Sequence, residues 1–129
     1  MDLYGVLKER KMLLIDDDEW VRDSLSKFFE CKGCCLTALE TAEEGLRELR
    51  DQPYDIIIFD YKLPGIDGIE FIKRVQRSHP LAIKILITAY GSKGLASEAD
   101  RMGIDGFIEK PFNAMVLEKF LTGLIEKRG

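Results

Sequence analysis

Five polar side chains stand at or directly after the ends of apolar runs in the sequence. Asp16 and Asp17 follow "MLLI", Asp60 follows "IIIF", Thr88 ends "IKILIT" and Lys110 follows "GFIE". Three carboxylates that lie close together repel one another, which raises at least one pKa unless a cation lies among them. These residue types therefore indicate chemistry with a hard cation and an anionic group.

A magnesium site would account for the acidic residues. Carboxylate oxygens suit hard cations, and few protein ligands with room for water suit Mg²⁺ better than Ca²⁺. Mg²⁺ beside carboxylates commonly serves phosphate chemistry, in which Asp60 would act as the nucleophile and form an acyl phosphate. Lys110 would then contact one phosphoryl oxygen, and the Thr88 hydroxyl would donate to another.

These side chains meet only if the apolar runs are parallel strands of one sheet. Nearly continuous apolar segments are typical of parallel strands buried on both faces. Such segments predict strands at residues 12–16, 34–38, 55–60, 83–88 and 105–110. Ligands of an open parallel sheet bind outside the carboxyl ends of its strands, so the polar residues should converge there.

Apolar residues at helical spacing separate the predicted strands. Thr41 with Glu44, and Asp67 with Glu70, have the spacing of capping boxes. A final helix should begin near Asn113 and face inward with Leu117, Phe120, Leu121 and Leu124. The alternation of strands and helices predicts an α/β three-layer sandwich with right-handed crossovers.

Two further expectations concern the edge of this sheet. The chain must turn sharply after Lys110 to begin the final helix, which favours a cis Lys110–Pro111 peptide bond. The segment 91–103 has the weakest helical pattern because it combines glycines with a mixed apolar pattern.

Composition restricts the possible function classes. A chain of 129 residues fits one domain, and its net charge of −4 argues against direct nucleic acid binding by this chain. No apolar run approaches the roughly 20 residues of a membrane span, and the first ten residues lack the pattern of a signal peptide. We therefore expect a cytoplasmic protein that has no membrane association.

The cysteines leave a second chemistry open. Cys31 and Cys34 have C-x-x-C spacing, with Cys35 beside them. In a thiol oxidoreductase this motif follows a strand and opens a helix, whereas here an amphipathic helix precedes it and Gly33 ends that helix. The pattern favours a helix end followed by a buried strand, and a single histidine disfavours a zinc site.

The motifs "LLIDDDEW", "IIIFDYKLPGIDGIE", "ILITAY" and "GFIEKPF" together closely resemble the receiver domain of bacterial two-component response regulators. The resemblance spans residues 11–127 and leaves residues 1–10 as an N-terminal extension. It implies a flavodoxin-like, doubly wound fold with a five-stranded parallel sheet in the order 2-1-3-4-5.

The same resemblance implies the roles of the acidic residues. Asp60 is the phosphoacceptor, and Asp16 and Asp17 form the acidic pocket. Asp17, Asp60 and the backbone carbonyl of Lys62 bind Mg²⁺ directly. The phosphoryl group is expected from a sensor histidine kinase or a histidine phosphotransfer protein.

The resemblance also implies a conformational switch. Thr88 and Phe107 match the switch hydroxyl and the switch aromatic of the family, and Lys110 matches its lysine. Phosphorylation would change the surface formed by the helix before the fifth strand, that strand and the last helix, through which a homodimer is also expected. We therefore expect a phosphorylation-activated switch that assists its own phosphorylation and dephosphorylation, rather than a classical enzyme.

Other readings remain open at this point. A phosphatase of the haloacid-dehalogenase type would use Asp16 as the nucleophile, although the acidic pair expected beyond the lysine is missing. A phosphoryl group found on Asp60 supports a receiver, and one found on Asp16 supports the phosphatase. A receiver-shaped scaffold that takes no phosphate is disfavoured because every site residue is present. The chain is either a stand-alone regulator or the receiver of a longer protein.

Overall fold

A parallel five-stranded sheet forms the centre of the structure, a computed structural model that describes residues 2–66, 68–89 and 102–128. The strand order is β2-β1-β3-β4-β5. The strands are β1 (Lys11–Ile15), β2 (Cys35–Leu39), β3 (Ile56–Asp60), β4 (Ile83–Thr88) and β5 (Gly106–Glu109). The predicted fold class and strand order are confirmed, with each strand end within one residue of the prediction.

Helices cover both faces of this sheet. In the described residues they are α1 (Leu3–Leu7), α2 (Glu19–Cys31), α3 (Ala42–Asp51), α4 (Gly68–Ser78) and α5 (Ala114–Arg128). Apolar residues of α3 and α4 share one buried cluster with the sheet, and those of α1, α2 and α5 share the other. The layers are therefore helix, sheet, helix, as the sequence predicts.

The central strands are buried on both faces because their side chains alternate between the two clusters. In β3, Ile57 and Phe59 face the cluster with α3 and α4, while Ile56 and Ile58 face the cluster with α2 and α5. Every residue of β3 and β4 is buried, including the strand ends Asp60 and Thr88. Apolar burial on both sides therefore fixes the position of each strand end.

Several helix ends follow the predicted signals. The Thr41 hydroxyl accepts a hydrogen bond from the Glu44 amide at 3.1 Å, and the Glu44 carboxylate accepts from the Thr41 amide at 3.2 Å. Gly33 has a φ of 74° directly after α2. At the start of α5, the Asn113 side chain accepts from the amide of Val116 at 3.0 Å.

The Lys110–Pro111 peptide bond is cis, as predicted. Phe120, expected to face inward, is 36% exposed because it lies at the edge of the buried stripe of α5, whereas Leu117 and Leu121 are buried. Asp67 and most of the segment 91–103 lie outside the described residues.

The N-terminal extension contains a helix that the sequence pattern does not predict. Leu3 and Leu7 of α1 are buried in the cluster with α2 and α5. The Tyr4 hydroxyl donates to the Glu118 carboxylate of α5, and the Lys32 ammonium lies 5.1 Å from the centre of the Tyr4 ring. Burial, and then the Glu118 carboxylate, raise the pKa of Tyr4, which keeps this phenol a hydrogen-bond donor. The extension is therefore part of the folded core.

Replacing Leu7 with alanine should lower the free energy of unfolding by about 2–4 kcal/mol, because this fully buried side chain would leave a cavity between α1 and the sheet. Urea denaturation of the whole chain measures the effect. The matched control is Leu81→Ala, since Leu81 is 85% exposed and its loss should change stability by less than about 0.5 kcal/mol. Equal stability of the two variants would show that α1 does not stabilise the fold.

Candidate functional site

The predicted site residues converge at the carboxyl edge of the sheet. Carboxylate oxygens of Asp16, Asp17 and Asp60 all lie within 4.8 Å of one another. The Lys110 ammonium lies 2.7 Å from Asp60 Oδ2 and 2.9 Å from Asp16 Oδ2. Thr88 ends the neighbouring strand and is fully buried. One ammonium group therefore faces two carboxylates that come from different strands.

Backbone hydrogen bonds extend the sheet by one residue beyond two of its strands and so place these side chains. The Asp16 amide donates to the carbonyl of Leu39 at 3.1 Å, and the Lys110 amide donates to the carbonyl of Thr88 at 2.7 Å. Because these residues continue the sheet geometry, their side chains emerge at defined positions on the carboxyl edge.

The turn from β1 into α2 holds Asp16 in place. The Asp18 amide donates to Asp16 Oδ1 at 2.9 Å, while the Asp18 side chain caps α2 by accepting from the Trp20 amide at 2.9 Å. The Arg22 guanidinium donates to the Asp16 carbonyl at 2.8 Å. Within the acidic run "DDD", Asp16 and Asp17 thus belong to the site, whereas Asp18 caps the start of α2.

Burial shapes the electrostatics of the site. Desolvation, aided by the charge of Asp60, raises the pKa of Asp16 despite opposing hydrogen bonding from Asp18 and Lys110. Burial alone would lower the pKa of Lys110, but its contacts with Asp60 and Asp16 outweigh this effect and raise it. Lys110 therefore stays protonated, and this single ammonium faces a cluster of three carboxyl groups.

A hard cation fits the donors that the site presents. Asp16 Oδ2 is fully buried, and its charged partner is the Lys110 ammonium 2.9 Å away. Asp17 is exposed beside it, and Asp60 is 6% exposed. Three crowded carboxylates that offer only oxygen ligands, one of them exposed to solvent, suit Mg²⁺ with bound water.

The two predicted switch residues lie on neighbouring strands. Thr88 ends β4, and Phe107 lies on β5, where it pairs with Leu86 in the parallel register. Phe107 is half-buried and packs against the apolar cluster with α3 and α4. The hydroxyl and the ring thus belong to adjacent strands beside the acidic cluster.

A cavity beside Lys110 was not predicted from the sequence. It has a volume of about 560 Å³ and lies between the start of α2 and the turn from β5 into α5. Its lining includes Trp20, Val21, Pro111 and Phe112. Trp20, the one tryptophan of the chain, is 77% exposed. Apolar surface therefore adjoins the charged site, a feature that arises only when α2 and α5 come together.

The cysteines show no features of a redox centre. Cys31, Cys34 and Cys35 are free thiols, with Cys34 buried and the other two exposed. Burial raises the pKa of Cys34, although the nearby Lys8 opposes the shift. A reactive thiol requires the opposite shift, so a structural role of the C-x-x-C motif at the end of α2 is favoured. The strand that follows is an edge strand with exposed and half-buried residues, so the expectation of a buried strand there is wrong.

A family model of the response regulator receiver domain matches residues 12–122. This chain belongs to the response regulator receiver family. Two curated relatives are the response regulator protein FleR of Pseudomonas aeruginosa and the transcriptional regulatory protein FixJ of Bradyrhizobium diazoefficiens. Each is 34% identical, over 83% and 88% of this chain respectively. The chain covers 23% of FleR and 53% of FixJ, so it spans about a quarter to a half of these relatives.

Solved receiver structures have the same fold. A CheY-like receiver domain protein from Methanospirillum hungatei is 32% identical with a TM-score of 0.83, and the match covers 93% of this chain and 98% of that one. The beryllofluoride-activated NtrC4 receiver domain dimer is 28% identical with a TM-score of 0.84, and the match covers 92% and 98% of the two chains. Membership of this family argues against the phosphatase alternative.

Among the described residues, no helix has the length and apolar character needed to cross a membrane.

Replacing Asp16 with asparagine should raise the free energy of unfolding in chelator. Folding raises the pKa of Asp16 above its ordinary value of 3.8, so its ionisation at neutral pH costs stability. Saturating Mg²⁺ should stabilise the parent more than the variant. Urea denaturation with and without Mg²⁺ measures both effects, and Asp51→Asn, at the exposed end of α3, is the control. A variant less stable than the parent in chelator would contradict this account.

Proposed function

We propose that this receiver domain accepts a phosphoryl group on Asp60 from a phosphohistidine of a sensor histidine kinase or a histidine phosphotransfer protein. The observation that carries the proposal is the Lys110 ammonium, which contacts both Asp60 and Asp16 within a cluster of three carboxylates. Receiver domains take phosphoryl groups from histidine kinases, and the match of residues 12–122 to this family supports the same class of donor here.

In the transfer, a carboxylate oxygen of Asp60 attacks phosphorus as the phosphorus–nitrogen bond of the donor breaks. The bonding electron pair stays on the imidazole, and an acyl phosphate forms on Asp60. Mg²⁺, when bound, would supply positive charge that neutralises and orients the phosphoryl oxygens. Asp16, Asp17, Asp60 and the Lys62 carbonyl are the groups proposed to hold it.

The remaining site residues respond to the negative charge that the phosphoryl group adds at Asp60. The Lys110 ammonium transfers its contact from the Asp60 carboxylate to a phosphoryl oxygen. The Thr88 hydroxyl donates to a second phosphoryl oxygen, and Phe107 turns inward into the space that the threonine leaves. A change in charge thereby becomes a change in packing on the surface that includes β5 and α5.

The proposed role also implies domain bounds, a cellular location and an interface for self-association. Residues 11–127 form the receiver domain, preceded by the extension 1–10, in a cytoplasmic protein. The surface that includes β5 and α5 is the proposed homodimer interface, an idea supported by the NtrC4 receiver, whose activated form is described as a dimer. What the phosphorylated domain controls depends on the rest of the protein or on its partner.

Asp60→Asn should abolish labelling by radioactive acetyl phosphate, because the amide cannot form an acyl phosphate. Excess chelator should abolish labelling of the parent, since the crowded carboxylates would then lack the cation. Labelling is measured after gel separation, with Asp51→Asn as the control for a lost exposed carboxylate. Undiminished labelling of Asp60→Asn would refute the assignment of Asp60 as the phosphoacceptor. Undiminished labelling of the parent in chelator would refute the role of Mg²⁺.

Thr88→Ala should accept phosphate but respond weakly to it, because the hydroxyl that couples the phosphoryl group to Phe107 is gone. The response is measured as the phosphorylation-induced change in self-association by sedimentation and in the resonances of β5. Thr37→Ala is the matched control, since Thr37 lies on the edge strand β2. A full response of the Thr88 variant would place the coupling elsewhere.

A further inference from the structure

The loop that follows Asp60 is held at its far end by an acidic residue of another helix. The amide of Ile66 donates to Glu43 Oε1 at 3.2 Å. Glu43 lies in the first turn of α3, and Ile66 lies between β3 and α4, 23 residues later. This hydrogen bond joins the first turn of α3 to the loop between β3 and α4 at the carboxyl edge of the sheet.

The Glu43 carboxylate also lies against the backbone of Gly65. A methyl group added at Gly65 would come within 2.8 Å of both carboxylate oxygens. Gly65 has a φ of 83°, a conformation that favours glycine. The loop therefore bends around the carboxylate at a residue without a side chain, which lets the Ile66 amide reach it.

The near end of the loop is fixed by the sheet and by Asp60 itself. The Tyr61 amide donates to the carbonyl of Ile87 in β4 at 2.8 Å. The Lys62 amide donates to Asp60 Oδ1 at 3.2 Å. The carbonyl of Lys62 is a proposed Mg²⁺ ligand. Lys62 thus lies between two fixed points of the chain, the hydrogen bond of Tyr61 to β4 and the hydrogen bond of Ile66 to Glu43.

Neighbouring residues hold the first turn of α3, and with it the backbone of Glu43, in a fixed position. Ala42 beside it is fully buried, and the reciprocal hydrogen bonds between Thr41 and Glu44 close the first turn of the helix. An acidic residue in this turn also interacts favourably with the helix dipole, which alone would explain its presence. The dipole does not require a contact with Gly65 and Ile66, so that explanation leaves the hydrogen bond unexplained.

We propose that Glu43 is a positioning residue for the phosphoacceptor site, a role that rests on the function proposed above. Its hydrogen bond to Ile66 restricts the loop 61–66, so the Lys62 carbonyl is held ready for Mg²⁺ before the cation arrives. Ordering the loop in advance removes an entropy cost from Mg²⁺ binding. Glu43 acts through the loop and touches neither the cation nor the phosphoryl group.

The test compares Glu43→Ala with Glu43→Gln, which keeps an oxygen acceptor but removes the charge. Glu40→Ala is the matched control, because it removes an exposed carboxylate three residues earlier near the same edge of the sheet. Amide NMR of the whole chain gives two readouts, hydrogen exchange of the Ile66 amide and the Mg²⁺ dissociation constant.

Glu43→Ala should speed exchange at Ile66 and raise the Mg²⁺ dissociation constant about three- to tenfold, the size expected for one lost hydrogen bond. Glu43→Gln and Glu40→Ala should stay within about twofold of the parent. Weakening of Mg²⁺ binding by Glu43→Gln as large as that by Glu43→Ala would overturn the proposal, because the charge alone would then matter. Unchanged Mg²⁺ affinity in Glu43→Ala would also overturn it.

Asp60→Asn in the same titration separates the two proposals. It should weaken Mg²⁺ binding strongly while leaving protection of the Ile66 amide in place. Full Mg²⁺ affinity in this variant would refute the proposed metal site itself, and with it any role of Glu43 there. Strong weakening in Asp60→Asn with no effect of Glu43→Ala would refute the positioning role alone.

Discussion

The Lys110 ammonium connects two carboxylates that would otherwise repel each other inside the protein. It lies 2.7 Å from an oxygen of Asp60 and 2.9 Å from an oxygen of Asp16. One positive charge cannot neutralise both carboxylates together with the nearby Asp17, so the site retains negative charge that a hard cation can balance. In the proposed transfer the same ammonium contacts a phosphoryl oxygen, so this ion pair lies at the centre of both the proposed Mg²⁺ site and the proposed chemistry.

The rest of the fold keeps these charges together. Apolar burial on both faces fixes β3 and β4, so Asp60 and Thr88 end their strands at the same edge. Crowded carboxylates destabilise the folded state. Burial of apolar side chains in the two clusters offsets this cost. The α1 helix enlarges one of these clusters, and the proposed contact of Glu43 orders the loop after Asp60.

Much of the fold and the site could be predicted from the sequence because the signals are local. Continuous apolar runs mark the parallel strands, and the polar residues at the ends of four of these runs mark the ligand edge. The α1 helix was missed because five residues carry no helical period, and Phe120 was misplaced because it lies at the edge of its stripe. The contact between Glu43 and Ile66 could not be found, since nothing in the sequence links residues 23 positions apart.

The most direct test of this account locates the phosphoryl group on the unmodified chain after transfer from a phosphohistidine donor. Borohydride reduction of the acyl phosphate, followed by peptide mass spectrometry, marks the carboxylate that carried it. The account predicts reduction at Asp60 alone, and only when Mg²⁺ was present during transfer. Reduction at Asp16, or no marked carboxylate after incubation with a competent donor, would contradict it.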